Sequence, residues 1–152
     1  MATTLHHPHD AGYTVLPEVH GLTRFLAPVA RALFSAIFLL AAPAHFSVRT
    51  IDYAAHQGVP MAGLLVPLSG IMALVGGLSV ALGYKARAGA WLLVLFLVPV
   101  TVRMHAFWAV SDPQMAEIQQ VMFLKNLALI GGALMIAYFG AGGVSFDARH
   151  RS

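Results

Sequence analysis

Four apolar stretches, each about twenty residues long, dominate the chain and decide what it can fold into. They cover residues 25–46, 60–82 and 88–110, with a fourth whose apolar core is 121–139. A bilayer core of about 30 Å is crossed by about 20 helical residues at roughly 1.5 Å each. Each stretch is therefore long enough to cross a membrane once. Composition removes the alternative of a water-soluble globule. The 152 residues are 59% apolar and only 10% charged, against about 45–50% and about 25% in soluble domains. Too few polar residues remain to cover a globular surface. The chain reads as an all-α integral membrane protein, a four-helix antiparallel bundle with short connections.

Three regions follow from this pattern. Residues 1–22 form a polar segment with breakers at Pro8, Gly12 and Pro17 and histidines at His6, His7, His9 and His20. It lacks the basic start and small-residue cleavage site of a signal peptide, so it reads as a flexible cytoplasmic tail rather than a metal site. Residues 23–148 form the membrane domain, with spans at about 25–46, 60–82, 88–110 and 115–140, and 149–152 form a basic tail. Ser111-Asp112-Pro113-Gln114 marks a helix start, with Gln114 placed to complete a capping box from Ser111. Residues 47–57 are too polar to span and read either as a short interfacial helix or as an ordered loop. Arg24, Lys85, Arg87, Arg149 and Arg151 flank the ends that share one side. The other side has Arg49 beside Asp52, Asp112 and Glu117. The positive-inside rule then places both termini in the cytoplasm. Trp108 and Tyr84 suit the two interfaces.

The absence of cysteine excludes disulfides, iron–sulfur clusters, covalent c-type haem and thiolate zinc. A net charge of +3 on scattered basic residues, with no recognition motif, argues against nucleic acid. Helix association in lipid depends on small residues that allow close approach. Ser69, Ala73, Gly77 and Ala81 make one such stripe; Ala133, Ala137 and Ala141 make another. They serve either packing within the bundle or a homo-oligomer interface. Pro67 and Pro99 free the carbonyls of Gly63 and Leu95 and should kink their helices.

Ionisable residues at membrane depth are costly and are functional candidates by default. Arg31, Arg103, His105 and Lys125 qualify; His45 sits at the outer margin, and Gln119, Gln120 and Asn126 accompany Lys125. Counted along the helices, Arg103 and His105 lie about 22 and 26 Å from the inner face, and Lys125 about 20 Å. No carboxylate lies within any apolar core. Arg103 and His105 are about 200° apart on a helix, so only one should face the interior. His105 shares its face with Thr101 and Trp108 and is assigned inward, leaving Arg103 to snorkel or to meet a partner subunit. Arg31 reads as a snorkelling anchor near the inner headgroups. A bound anion, a quinone carbonyl or Glu117 would each satisfy Lys125, as would loss of its proton. No metal is expected, since His45 and His105 alone make a poor ligand set even for haem.

The runs ARALFSAIFLLAAPAHFS (30–47), GVPMAGLLVPLSGIMALVGGLSVALGYKARAGA (58–90), FLVPVTVRMHAFW (96–108) and FLKNLALIGGALMIAYFGAGGVSFD (123–147) resemble the bacterial DoxX family. The Lys125-Asn126 pair and the tail Gly142-x-x-Ser145-x-Asp147 are the most specific elements, with His105, Phe107 and Trp108 matching an H-x-F-W element. His45 and Phe46 match an H-F element of a subgroup. Ala73 stands where many members carry glutamate, and Arg103 where they are usually apolar. The resemblance implies a multi-pass protein of the bacterial inner membrane, associated with a membrane oxidoreductase. The expectation is a quinone-interacting accessory subunit with a candidate ligand set of His45, His105, Lys125, Asn126, Thr101 and Trp108. In that reading quinone is the cofactor, and the partners are lipid, oxidoreductase subunits or further copies of the chain. The alternatives are a non-catalytic scaffold for soluble redox enzymes and an oligomeric small-solute or anion channel.

Overall fold

A computed structural model describes residues 21–149. The segment with His6, His7, His9 and His20, and the last residues including Arg151, lie outside the described residues. A 3-10 turn (Leu22–Phe25) leads into α1 (Leu26–Ala41), which tightens into a second 3-10 segment (Ala42–Phe46) with a proline at its start. Then come α2 (Val48–His56), α3 (Ala62–Leu82), α4 (Ala86–Met104), a 3-10 turn (Phe107–Ala109), α5 (Pro113–Phe139) and α6 (Phe146–Arg149). Four of these helices, α1 with its 3-10 extensions, α3, α4 and α5, are long and apolar enough to cross a membrane.

Local chemistry sets the boundaries. Ser47 caps α2 by accepting the Thr50 N–H at 3.3 Å, so the polar segment left open between helix and loop is a helix. Its hydroxyl also donates to the Ala44 carbonyl, which fixes the bend out of the 3-10 turn. Gly83, in the left-handed region at φ 67°, ends α3. At α5 the cap is Asp112 rather than Ser111: its carboxylate accepts from Gln114 N–H at 2.9 Å. Pro113 at the first helical position places Asp112, not Ser111, at the N-cap.

In sequence order, α1 packs on α3, α3 on α4, and α4 on α5. The end bearing Gly21 and Arg149 is termed inner, following the charge asymmetry. At this end a clasp holds the bundle together. The Asp147 carboxylate accepts the N–H groups of Lys85 (2.7 Å) and Ala86 (3.0 Å), capping α4, and Asp147 N–H donates to the Gly83 carbonyl at 2.8 Å. Arg31 is 6% exposed. Its guanidinium donates to the Ala141 carbonyl and, at 2.9 Å, to that of Val144. The expected lipid anchor is thus a buried tie between α1 and the C-terminal segment. Local sequence could not show this, because the partners lie more than a hundred residues away.

The helices approach closely where glycine allows it. A Cβ on Gly89 would fall 2.4 Å from Ser79 Oγ, and one on Gly76 would fall 2.8 Å from Leu93. Gly77 faces Phe38 and Leu39 of α1, and Gly132 faces Phe34. The small stripe of α3 therefore packs inside the bundle. Around these contacts lies the main core of Phe38, Val80, Leu93 and Phe96. A second cluster joins α2 to the outer ends of α3 and α4 through Ala54, Ala62 and Val66, with Met104 against them.

Candidate functional site: an intramembrane cavity beneath α2

Above the glycine layer the helices diverge. His45 and Phe46 pack on Gly70, which lies about 12 Å along α3 from its outer end. The first span therefore stops short of the outer end of the bundle. α2 then carries the chain back along the outer parts of α3 and α4 to reach Ala62. Beneath it is a cavity of about 720 Å³, within the range of small-molecule sites. Its walls are mostly apolar, from Ile37 and Phe38 of α1 to Met72 of α3, Phe96 and Val100 of α4, and Leu129 of α5. The face of α2 formed by Thr50, Tyr53 and Ala54 covers it.

Five of its lining residues are His45, Arg103, His105, Lys125 and Asn126, and none is acidic. His45 packs edge-on against Phe96, with ring centroids 5.8 Å apart, and its Nδ1 donates to the Ala41 carbonyl at 3.3 Å. His105 Nδ1 is 2.8 Å from Gln119 Oε1, tying the end of α4 to α5. Arg103 Nη2 donates to the Gly58 carbonyl at 2.9 Å, just beyond the end of α2. Lys125 lies about 18 Å along α5 from Pro113. Lys125 is exposed, and among the described residues its ammonium contacts the Met122 sulfur, at 3.4 Å. Asn126 is 4% exposed and lines the cavity beside it.

The structure thus brings four of the six sequence candidates together: His45, His105, Lys125 and Asn126. It leaves out Thr101 and Trp108. Thr101 is 2% exposed and donates to the Leu97 carbonyl at 2.6 Å, satisfying its own helix. Trp108 is exposed and joins an aromatic group with Phe107 and Phe123, at centroid distances of 5.0 and 5.6 Å. Arg103 lines the cavity as well as His105, because α4 ends at Met104 and His105 departs from helical geometry (φ −124°, ψ 38°). The 200° separation holds only while the helix continues. Tyr53 and Thr50 also line it, a role whose one sequence signal is that Thr50, Tyr53 and Ala54 fall on one helical face. Among the described residues, no group of three or more histidine, aspartate or glutamate side chains converges as a metal site would require.

These features define a class: a multi-pass helical membrane protein whose outer half carries a half-open, ligand-sized cavity with basic lining residues. The particular family follows from comparison. Residues 56–152 match the SURF4 family, more than half of the chain, and the chain belongs to that family. It is 30% identical over 121 residues to "Inner membrane protein YqjF" of Escherichia coli K12, covering 78% of this chain and 87% of that protein. It is 27% identical over 100 residues to "Inner membrane protein YphA" of the same organism, covering 66% and 71%. It is 38% identical to the "Surfeit locus protein 4 homolog" of Drosophila melanogaster over 69 residues, 45% of this chain and 26% of that protein. No solved structure matches. With these relatives and four span-length helices, the protein is a multi-pass protein of the inner membrane.

The DoxX resemblance is corrected by this assignment. Its physical cause is visible in the bundle. Much of what carried it has a structural role: Gly76, Gly77, Gly89 and Gly132 permit helix contact, and Ser145 and Asp147 build the inner clasp. A short-looped membrane bundle needs small and capping residues at such places whatever its family.

Proposed function

We propose that the protein binds a lipid-soluble amphiphile whose polar head accepts hydrogen bonds, with the head among Lys125, Asn126, His45 and His105 and the tail along the apolar wall. The observation that carries this is the convergence of those side chains on one mostly apolar cavity that no carboxylate lines. An acceptor oxygen on a ligand would take up the N–H donors that Asn126 presents at the cavity wall. An ammonium at membrane depth gains in the same way. A quinone falls in this ligand class, since its ring carbonyl would accept from Lys125 or Asn126. A role as a quinone-binding subunit of a membrane oxidoreductase is the form the proposal takes for that ligand. The test is purification in mild detergent from the native membrane, followed by mass spectrometry of the bound molecules. A defined amphiphile enriched over bulk lipid is expected, and it should disappear in Lys125→Met and Asn126→Leu. Bound molecules identical in wild type and both variants would refute the proposal and favour the scaffold reading.

A further inference from the structure

Building on this reading, we infer that the occupant's head is an oxyanion, a carboxylate or phosphate, anchored by Lys125 and Asn126. The reasoning begins with charge. Lys125, Arg103 and two histidines line one cavity, and no aspartate or glutamate does. The carboxylates on this half of the protein, Asp52, Asp112 and Glu117, are exposed as Lys125 and Arg103 are, but none of the three lines the cavity. Glu117, the nearest along α5, is about 12 Å from Lys125 on the helix axis.

A lysine at this depth can satisfy itself by reaching the interface or by pairing. Its side chain does lean toward the outer end, as side chains on a helix lean toward the N-terminus. It gains only one turn there, however, and ends on the Met122 sulfur. A thioether is a weak acceptor, and Lys125 is otherwise exposed at the edge of the cavity, where a ligand's oxygen could reach its ammonium. Asn126, the next residue, supplies two further N–H donors from a site 4% exposed.

Adjacent donors from one helix, a net positive wall and an apolar chamber suit a head with two or more acceptor oxygens and a hydrocarbon tail. A neutral carbonyl would use the donors but leave the charge unmatched. Arg103 lies at the outer rim, held by Gly58, and extends the positive potential to the side from which an anion approaches.

The test uses the full chain in phosphatidylcholine nanodiscs with three photoactivatable long-chain probes of equal length and mole fraction. One is a fatty acid, one an alkyl phosphate and one an alcohol; a quinone with a matched photoactivatable tail is the fourth arm. Labelling is read by peptide mapping. The acid or the phosphate should label cavity residues about tenfold more than the alcohol does, as expected for a charge-assisted pair. Whichever of the two labels more identifies the head. Lys125→Met should reduce that labelling to the alcohol's level, and Lys125→Arg should retain it. Equal cavity labelling by alcohol, quinone and acid, unchanged in Lys125→Met, would overturn the oxyanion head while leaving amphiphile binding intact. No cavity labelling by any probe would remove both.

Discussion

The close contact between α3 and α4 can be tested with one substitution made at two sites. Gly89 and Gly131 both lie within span-length helices, so replacement by alanine brings both the same gain in helix propensity, about 1 kcal/mol. Around Gly131 nothing lies within 4 Å of an added Cβ, so Gly131→Ala should leave stability unchanged or raise it. At Gly89 the added atom would stand 2.4 Å from Ser79 Oγ, 2.5 Å from Ser79 Cβ and 3.1 Å from the Gly76 carbonyl oxygen. Ser79 is not free to turn aside, because its hydroxyl donates to the Tyr84 carbonyl at 2.6 Å. Overpacking of this kind costs about 1–3 kcal/mol, and the strained or lost serine bond adds about 1 kcal/mol. After the propensity gain, Gly89→Ala should be destabilised by about 1–3 kcal/mol. The measurement is reversible unfolding in mixed micelles of SDS and a mild detergent, followed by helical circular dichroism. The clash also has a specific remedy: Ser79→Gly in the Gly89→Ala background should recover at least about 1 kcal/mol relative to additivity. Equal stability of the two alanine variants, or strict additivity with Ser79→Gly, would show that these glycines do not set the helix spacing.

Three further outcomes test other parts of the structure. Arg31→Met should cost about 2–4 kcal/mol, because the carbonyls of Ala141 and Val144 lose their charged donor; protease sensitivity of residues 140–149 should rise in parallel. Asp147→Ala removes the cap from two N–H groups of α4 and should cost about 1–2 kcal/mol in the same unfolding assay. A double-mutant cycle of His105→Ala and Gln119→Ala should give a coupling of about 0.5–1.5 kcal/mol, reflecting their 2.8 Å contact; zero coupling would place the His105 ring elsewhere.

The spans were legible because the bilayer imposes a length on any helix that crosses it, and hydropathy alone measures that length. α2 was half legible: its serine cap and one-sided face were present in the sequence, but its packing against α3 was not. The depths of Lys125 and Asn126 could be counted along a continuous helix, and they do share the cavity with the histidines. His45 lies deeper than counting suggests, since nothing in the sequence shows that α2 climbs the outer part of the bundle. Arg103 lines the cavity against the wheel's expectation for a related reason. A helical wheel assumes that the helix continues, and the Met104–Val110 stretch contains no proline or glycine to announce its end. Arg31 and Asp147 were opaque because each acts on a partner distant in sequence, where local pattern carries no information.

The distribution of small and polar residues along the bundle divides it into two layers, and this bears on transport. Near the inner end, Gly76 and Gly89 bring α3 and α4 together, Gly77 seats α3 on α1, and Gly132 meets Phe34 between α5 and α1. The Arg31 and Asp147 clasp lies beyond them. Val80, Ala90 and Leu93 are fully buried in that layer. Closely packed apolar side chains of this kind leave no room for a hydrated ion. A conduction path through a single chain would have to cross this layer, whereas the cavity lies on its outer side. The arrangement is a chamber closed at its inner end, which favours holding a molecule over passing it through. A channel would require a pore between copies. That pore would be lined by the outward faces of the helices, and it would leave Asn126, buried inside one chain, without a part in conduction.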